Sequence, residues 1–161
     1  MKLFTLLSSI ISALYLLCFS TVSFGADKHA GYYYTNPKNI EIYKARAKTL
    51  AEANQFRRIA FVTAITQEQK QRPYPPTEVL FAKGNSSQKL IIVSLENGRL
   101  DTLYRVRAYL ASLTAAARTT PAFQKARVKD GLTFFDLAHM LGFEQVTVSD
   151  GDKFTHQVIF E

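Results

Sequence analysis

The sequence predicts an α+β fold, with a mostly antiparallel sheet of about five strands packed against helices on one face. Two observations carry this prediction. Strand-like segments are clustered as hairpins instead of alternating singly with helices, and the helical segments place apolar residues three and four positions apart. No domain boundary interrupts residues 37–161, so we expect a single α+β domain there.

The part of the chain before this domain differs in composition. Residues 1–25 carry one charge, Lys2, followed by an apolar stretch and small residues, which is the arrangement of a secretory signal peptide. Residues 26–36 form a tyrosine-rich arm. A retained membrane anchor is the alternative, but scattered serines and threonines make the stretch a poor span. We expect an exported protein, periplasmic or secreted. Its mature chain would have no cysteine, because Cys18 lies in the leader.

The first half of the domain contains three predicted elements. Asn36 and Pro37 are typical of an N-cap and first helical position, which predicts a helix over 38–54. The stretch IAFVTAI, residues 59–65, is rich in β-branched and aromatic residues and predicts a strand. Residues 67–76 have no apolar period and contain three prolines, so they predict a loop.

The second half predicts two hairpins separated by helices. EVLFAK and KLIIVSL flank a five-residue turn at 84–88. A helix over 101–118 begins with Asp101 as its N-cap, and the capping box TFFD opens a short helix over 133–142 that ends at Gly142. QVTVS and KFTHQVIF flank the tight turn at 150–152.

The net charge of +7 favours an anionic partner, although the basic residues are spread along the chain. Tyr32, Tyr33 and Tyr34 form either an aromatic platform for a partner or an arm packed against the domain. Arg57 and Arg58 can contact phosphates or belong to a solvated face. These five residues are the candidate partner-binding residues. The expected partner is an envelope protein or an anionic envelope component, with no specific nucleic acid.

His29 is a candidate metal ligand under one condition. If the leader is cut after Ala26, His29 is third from a free amine, and together with two backbone amides this supplies the square-planar nitrogen set that copper(II) prefers. A cut after Gly25 removes this arrangement. The bulky Phe24 favours the cut after Gly25, because signal peptidase requires small residues at the last and third-from-last leader positions.

Two other histidines could do acid–base chemistry. Asp136 and His139 share a helix face and could form an acid–base or ligand pair. Alternatively, Asp136 is a helix cap, and His139 is favoured by the dipole near a helix C-terminus. His156 is more typical of a sheet residue than of a ligand. The glycines are never closer than six residues apart, which excludes a glycine-rich phosphate loop. No cofactor is expected.

The segments DKHAGYYY, IYKARAKTLAEAN, FAKG, DLAHMLGF and VTVSDG resemble a family of small exported proteobacterial proteins without an established activity. Some proteins of this type carry an inherited label, molybdopterin-guanine dinucleotide biosynthesis protein A. The resemblance implies no catalytic residue, and the glycine-rich nucleotide loop that such an enzyme requires is missing from the sequence.

These observations predict a non-enzymatic accessory or binding protein with a basic, tyrosine-bearing surface. Three alternatives remain open: a small secreted hydrolase or nuclease that uses His and Asp, an N-terminal copper-binding protein, and a link to molybdopterin cofactor biosynthesis that rests on the label alone.

Overall fold

The computed structural model describes residues 34–37, 39–124, 128 and 130–161. The elements of this part of the chain are β1 (Asn39–Tyr43), α1 (Gln55–Lys70), β2 (Glu78–Lys83), β3 (Lys89–Ser94), α2 (Leu103–Thr119), α3 (Pro121–Gln124), α4 (Phe134–Met140), β4 (Gln145–Ser149) and β5 (Thr155–Phe160). The α+β class and the five strands are therefore confirmed. The signal peptide predicted at 1–25 and the arm up to residue 33 lie outside the described residues.

The five strands form one mixed sheet in the order β1-β5-β4-β3-β2. The β2–β3 and β4–β5 pairs are antiparallel, whereas β3 pairs with β4, and β1 with β5, in parallel. The prediction of a mostly antiparallel sheet is therefore wrong. The parallel pairing of β3 with β4 is possible because three helices lie between these strands, and a connection of this length can return the chain in the same direction.

The predicted helix over 38–54 is also wrong, because its first part is strand β1. Ile40 and Ile42 point to one face of the sheet, and Glu41 and Tyr43 point to the other. The chain that follows is held by contacts with the C-terminal part of the domain, for example the hydrogen bond from the Leu50 N–H to the Met140 carbonyl at 2.8 Å. Long-range pairing with β5 thus overrides a local helical period.

The predicted strand over 59–65 is instead the centre of helix α1. Asn54 caps the helix by accepting a hydrogen bond from the Arg57 N–H at 2.9 Å. The buried residues of α1 are spaced three and four apart and are Arg58, Phe61, Val62, Ile65 and Gln69. The predicted loop over 67–76 consequently starts only after Lys70. The β-branched composition suggested a strand, but burial follows the helical period.

The remaining elements agree with the sequence. Both hairpins form, and the helix predicted over 101–118 is α2, although its N-cap is Thr102 and not Asp101. Thr133 and Asp136 form the expected capping box at the start of α4. Gly142 follows α4 with a φ of +77°, the left-handed conformation that favours glycine.

The hydrophobic core lies between the helices and one face of the sheet. Alternate strand residues such as Leu90, Ile92, Val146 and Val148 belong to the same buried cluster as Phe61 of α1 and the apolar side of α2. In the described part of the chain, no helix is long and apolar enough to cross a membrane. β1 is an edge strand of the sheet, and a cavity lies between it and α2.

Candidate functional site

A cavity of about 490 Å³ lies between β1, α2 and the start of α4; we call it the Glu41 pocket. Its walls are mainly apolar and include Leu110, Ala111, Leu132, Phe134 and Phe135. A cavity of this size, with apolar walls and few polar groups, is typical of small-molecule sites. We therefore regard the Glu41 pocket as the candidate functional site.

The polar groups of the pocket come from β1 and α2. Strand alternation points Glu41 and Tyr43 towards the helices, while Ile40 and Ile42 point away. On α2, Arg107 is three and four positions before Leu110 and Ala111, so the three side chains share one flank of the helix. Glu41 and Arg107 consequently meet at the edge of the pocket, where Arg107 Nη2 is 4.0 Å from Glu41 Oε2.

His156 is on β5, the strand next to β1, and on the same face of the sheet as Glu41. Its Nε2 is 3.3 Å from Glu41 Oε2, and its side chain is 5 % exposed. Burial lowers the pKa of His156 below the ordinary value of 6.5; Glu41 opposes this shift, and Arg107 adds to it. A neutral imidazole with its proton on Nε2 can face the Glu41 carboxylate.

The other ring nitrogen of His156 supports the neutral form. Nδ1 is buried and has no hydrogen-bond partner in the described structure. In the Nε2–H tautomer this atom is an acceptor, whereas in imidazolium it would be a buried donor without an acceptor, which is the more costly state. Protonation of His156 is therefore disfavoured by burial and by the lack of an acceptor at Nδ1.

A hydrogen-bond network joins two further residues that line the pocket, Tyr43 and Thr133. The Tyr43 hydroxyl is 2.9 Å from Thr133 Oγ1. The Thr133 backbone N–H and hydroxyl both donate to Asp136 Oδ2, at 2.8 and 3.0 Å. Arg46 donates to the same carboxylate from its backbone N–H at 2.9 Å and from its guanidinium at 2.7 Å. This network links β1 and the segment after it to the first turn of α4.

Asp136 is the electrostatic centre of this network. Its side chain is fully buried, which by itself would raise its pKa. The backbone donors of Arg46 and Thr133, followed by their side-chain donors, outweigh burial and lower the pKa of Asp136 to about 2. Asp136 is therefore an ionised structural group and not a proton donor near neutral pH.

The proposed pairing of Asp136 with His139 is not the arrangement in the structure. His139 Nδ1 lies 2.9 Å from the Ala47 carbonyl, and its ring meets the edge of Phe160 with centroids 5.9 Å apart. Asp136 has Arg46 and Thr133 as partners. Each residue thus has its own structural contacts. Among the described residues, no group of three or more His, Cys, Asp and Glu side chains could hold a metal ion.

The five candidate partner-binding residues have different positions. Tyr32 and Tyr33, like the candidate copper ligand His29, lie outside the described residues, and Tyr34 is half-buried. Arg57 is on the surface of α1, with Nη2 4.0 Å from Glu52.

Arg58 differs from Arg57, because it is buried and used inside the domain. Its guanidinium donates to the Ser86 carbonyl at 2.8 and 3.2 Å, and to the carbonyls of Leu141 and Gly142, both at 3.1 Å. In this arrangement its donors face backbone carbonyls and not a partner.

Glu41 and Arg107 were not recognised in the sequence. The alternation of Ile40, Glu41, Ile42 and Tyr43 is a strand signal that would have placed Glu41 on the helix-facing side. Arg107 gives no local signal, because it is one of several arginines near the start of α2, and only the fold shows which of them faces Glu41.

Comparison of the chain with protein-family models, with curated proteins and with solved structures finds no match. The assignment of function therefore depends on the geometry of this chain.

Proposed function

We propose that this chain is an exported, non-enzymatic binding protein that holds a small, mainly apolar molecule with an anionic group in the Glu41 pocket. The observation that carries the proposal is the combination of an apolar cavity of about 490 Å³ with a guanidinium at its edge. Apolar walls stabilise the body of a ligand, and a small number of polar groups orient it.

The anionic group is inferred from the state of Arg107. Its side chain is 66 % exposed, and the ion pair described for it is the distant one with Glu41, at 4.0 Å. A guanidinium has five donors in a planar fork that matches a carboxylate or sulfonate. Because the neutral His156 faces Glu41 with Nε2 at 3.3 Å, the Glu41 carboxylate keeps a hydrogen-bond donor when a ligand anion approaches Arg107.

A binding role fits the site better than acid–base catalysis. His156, which has the perturbed pKa, does not line the pocket but lies behind Glu41. A general base must reach the proton that it removes, directly or through one water. The geometry therefore supports a histidine that positions Glu41 rather than one that reacts with a ligand.

The first test uses anilinonaphthalene sulfonate, an apolar aromatic molecule with one anionic group, titrated into the purified domain. We expect saturable binding, and Arg107→Gln should weaken it by about ten- to a hundred-fold, the range for losing a charged hydrogen bond. Arg105→Gln is the matched control, because Arg105 lies two positions away on α2 and is paired with Asp101 at 3.0 Å. Equal weakening in both variants would contradict the proposal.

A second variant tests the cavity independently of charge. Ala111 lines the pocket, and Ala111→Phe should fill part of it and abolish binding of the same molecule. Ala108→Phe, at an exposed position of α2 that does not line the pocket, should bind as the unmodified protein does. Unchanged binding in Ala111→Phe would show that the molecule is bound elsewhere.

Export rests on the composition of residues 1–25 and is tested by the intact mass of the protein from a native envelope fraction. A mature chain that begins at Ala26 supports export and removes the copper arrangement at His29. One that begins at Asp27 supports export and makes copper binding testable with the metal alone. An uncleaved chain in the cytosolic fraction would contradict export. An anionic or protein partner for the tyrosine arm and Arg57 remains a prediction from the sequence.

A further inference from the structure

A second site lies on the other flank of α2, and we call it the Tyr104 cleft. It consists of two adjoining cavities of about 520 and 480 Å³ that share Glu78, Arg99, Tyr109 and Ser112. Tyr104 and Arg105 line the first cavity, and the proline-containing loop before β2 lines the second. We propose that this cleft binds a neutral oligosaccharide.

The charges of the cleft offset one another. Each of its three arginines is within ion-pair distance of a carboxylate: Arg72 of Glu68 at 2.8 Å, Arg99 of Glu78 at 3.2 Å and Glu96 at 3.8 Å, and Arg105 of Asp101 at 3.0 Å. An anionic ligand would have to approach Glu78 and Glu96, which line the cleft, and a cationic one would have to approach the three guanidinium groups. The cleft is therefore suited to a ligand that needs many hydrogen bonds and no net charge.

The same ion pairs hold hydrogen-bonding groups in fixed orientations. Glu78 is buried, and its two oxygens accept from Arg99 Nε at 3.2 Å and from the Thr77 hydroxyl at 2.8 Å. The Tyr109 hydroxyl accepts from Gln69 Nε2 at 3.1 Å. Carboxylates, guanidinium groups, amides and hydroxyls that are oriented in this way can pair with the alternating donors and acceptors of sugar hydroxyls.

Two tyrosines supply the apolar part of such a site. Tyr74 and Tyr104 are 79 % and 83 % exposed, although burial of a ring of this size is normally favourable. An aromatic face can cover the C–H face of a sugar ring, while its hydroxyl remains in water. Pro73, Pro75 and Pro76 restrict the backbone around Tyr74, which reduces the ordering that binding would require.

This proposal is independent of the Glu41 pocket. Tyr104 and Arg105 face the cleft, whereas Arg107 and Ala111 face the pocket. Failure of anilinonaphthalene sulfonate to bind would therefore not affect it.

The test titrates maltohexaose, cellohexaose and chitohexaose into the isotopically labelled domain and follows backbone amide shifts by NMR. We expect at least one of these oligosaccharides to shift the amides around Tyr104, Arg99 and Tyr74. Tyr104→Ala should weaken this binding at least about tenfold, the size of losing one stacking contact. Tyr104→Phe should keep it, since the ring remains.

The controls separate the cleft from a general effect of exposed rings and charges. Phe56 is 77 % exposed and lies outside the cleft, so Phe56→Ala should leave oligosaccharide binding unchanged. Binding should also be the same at about 50 and 500 mM salt, because the ligand is neutral. The proposal is overturned if none of the three oligosaccharides shifts the cleft amides. Salt-sensitive binding of only a sulfated heparin hexasaccharide, or no change in Tyr104→Ala, would overturn it as well.

Discussion

The Glu41 pocket and the Tyr104 cleft lie on two flanks of α2, yet they are built in different ways. The cleft takes its groups from residues close together in the sequence, at 68–78 and 96–112, and two of its ion pairs join positions four apart. The pocket brings together β1, α2 and the start of α4, and His156 behind it is on β5. The cleft is thus mainly a local construction, and the pocket a product of long-range topology.

Two arginines of α2 show the consequence of this difference. Arg105 is bound within its own segment, to Asp101 and to the Gly98 carbonyl. The ion pair described for Arg107 is made across the fold, with Glu41 of β1 at 4.0 Å. An arginine that is paired within its own segment, such as Arg105, is held in a fixed orientation. An arginine whose carboxylate partner is 4.0 Å away, such as Arg107, can bind the anionic group of a ligand instead. This contrast is our reason for assigning an anion to the pocket and a neutral ligand to the cleft.

The largest expected effect is a loss of stability, caused by a substitution that removes hydrogen bonds inside the domain. Arg58 joins the β2–β3 turn to the C-terminus of α4, and Arg58→Leu leaves the carbonyls of Ser86, Leu141 and Gly142 without their donor. We expect the free energy of unfolding to fall by about 3 kcal/mol. Denaturant unfolding measures this value.

Arg57→Leu is the matched control for Arg58→Leu, because Arg57 is on the surface of the same helix. It should change the free energy of unfolding by less than about 0.5 kcal/mol. Equal effects of the two substitutions would show that the buried hydrogen bonds of Arg58 do not stabilise the domain.

A smaller effect should separate the two sites. Asp136→Asn weakens the network that joins Thr133 and Arg46 at the pocket and leaves the cleft untouched. The pKa of Asp136 is about 2, below its ordinary value of 3.8, so the carboxylate stabilises the fold above pH 4 and this contribution is lost as the pH falls towards 2. Because Arg46 is exposed and screened, we expect a loss of about 1–2 kcal/mol at pH 7.

Binding measurements complete the Asp136→Asn experiment. Anilinonaphthalene sulfonate should bind more weakly, and oligosaccharides as before. Asp130→Asn is the control, since Asp130 is exposed and its described contact is with Arg118 at 3.4 Å. If Asp136→Asn weakened oligosaccharide binding equally, the two sites would not be separable in the way we describe.

The contrast between local and long-range construction also explains which features could be predicted. The hairpins, α2 and the capping box of Thr133 and Asp136 are set by turn residues, helical spacing and a local hydrogen bond, so the sequence was sufficient. The strand at 39–43 was missed because its pairing partner is more than a hundred residues away. Parallel pairing of the two hairpins has no local signal either. Residues 59–65 have strand-like composition, and only the spacing of Phe61, Val62 and Ile65 indicates the helix.

The candidate sites follow the same rule. None of the arginines and tyrosines of the cleft was recognised in the sequence, because the pairing of Arg99 with Glu78 depends on how the loops fold. The pocket could be predicted only from the position of Glu41 on strand β1, next to α2. The sequence predicts a helix over 38–54 instead, so the pocket was missed. Arg58, adjacent to Arg57, shows that two neighbouring charges can have opposite roles when helical spacing turns one of them inwards.

The smallest expected effect concerns pH and belongs to the pocket alone. Burial keeps the pKa of His156 below 6.5, with Glu41 and Arg107 as the charged groups that face it. As the pH falls from 7, the unfolded chain takes up this proton before the folded one, so the free energy of unfolding decreases below about pH 6.5 and levels off once the folded histidine is also protonated. His156→Gln removes this titration, and denaturant unfolding between pH 7 and pH 5 should then show a smaller slope. An equal slope in both proteins would mean that other groups cause it.

Oligosaccharide binding should stay constant over the same range, because no histidine lines the described cleft. A parallel decline in cleft binding would show instead that α2 transmits a change at Glu41 from one flank to the other.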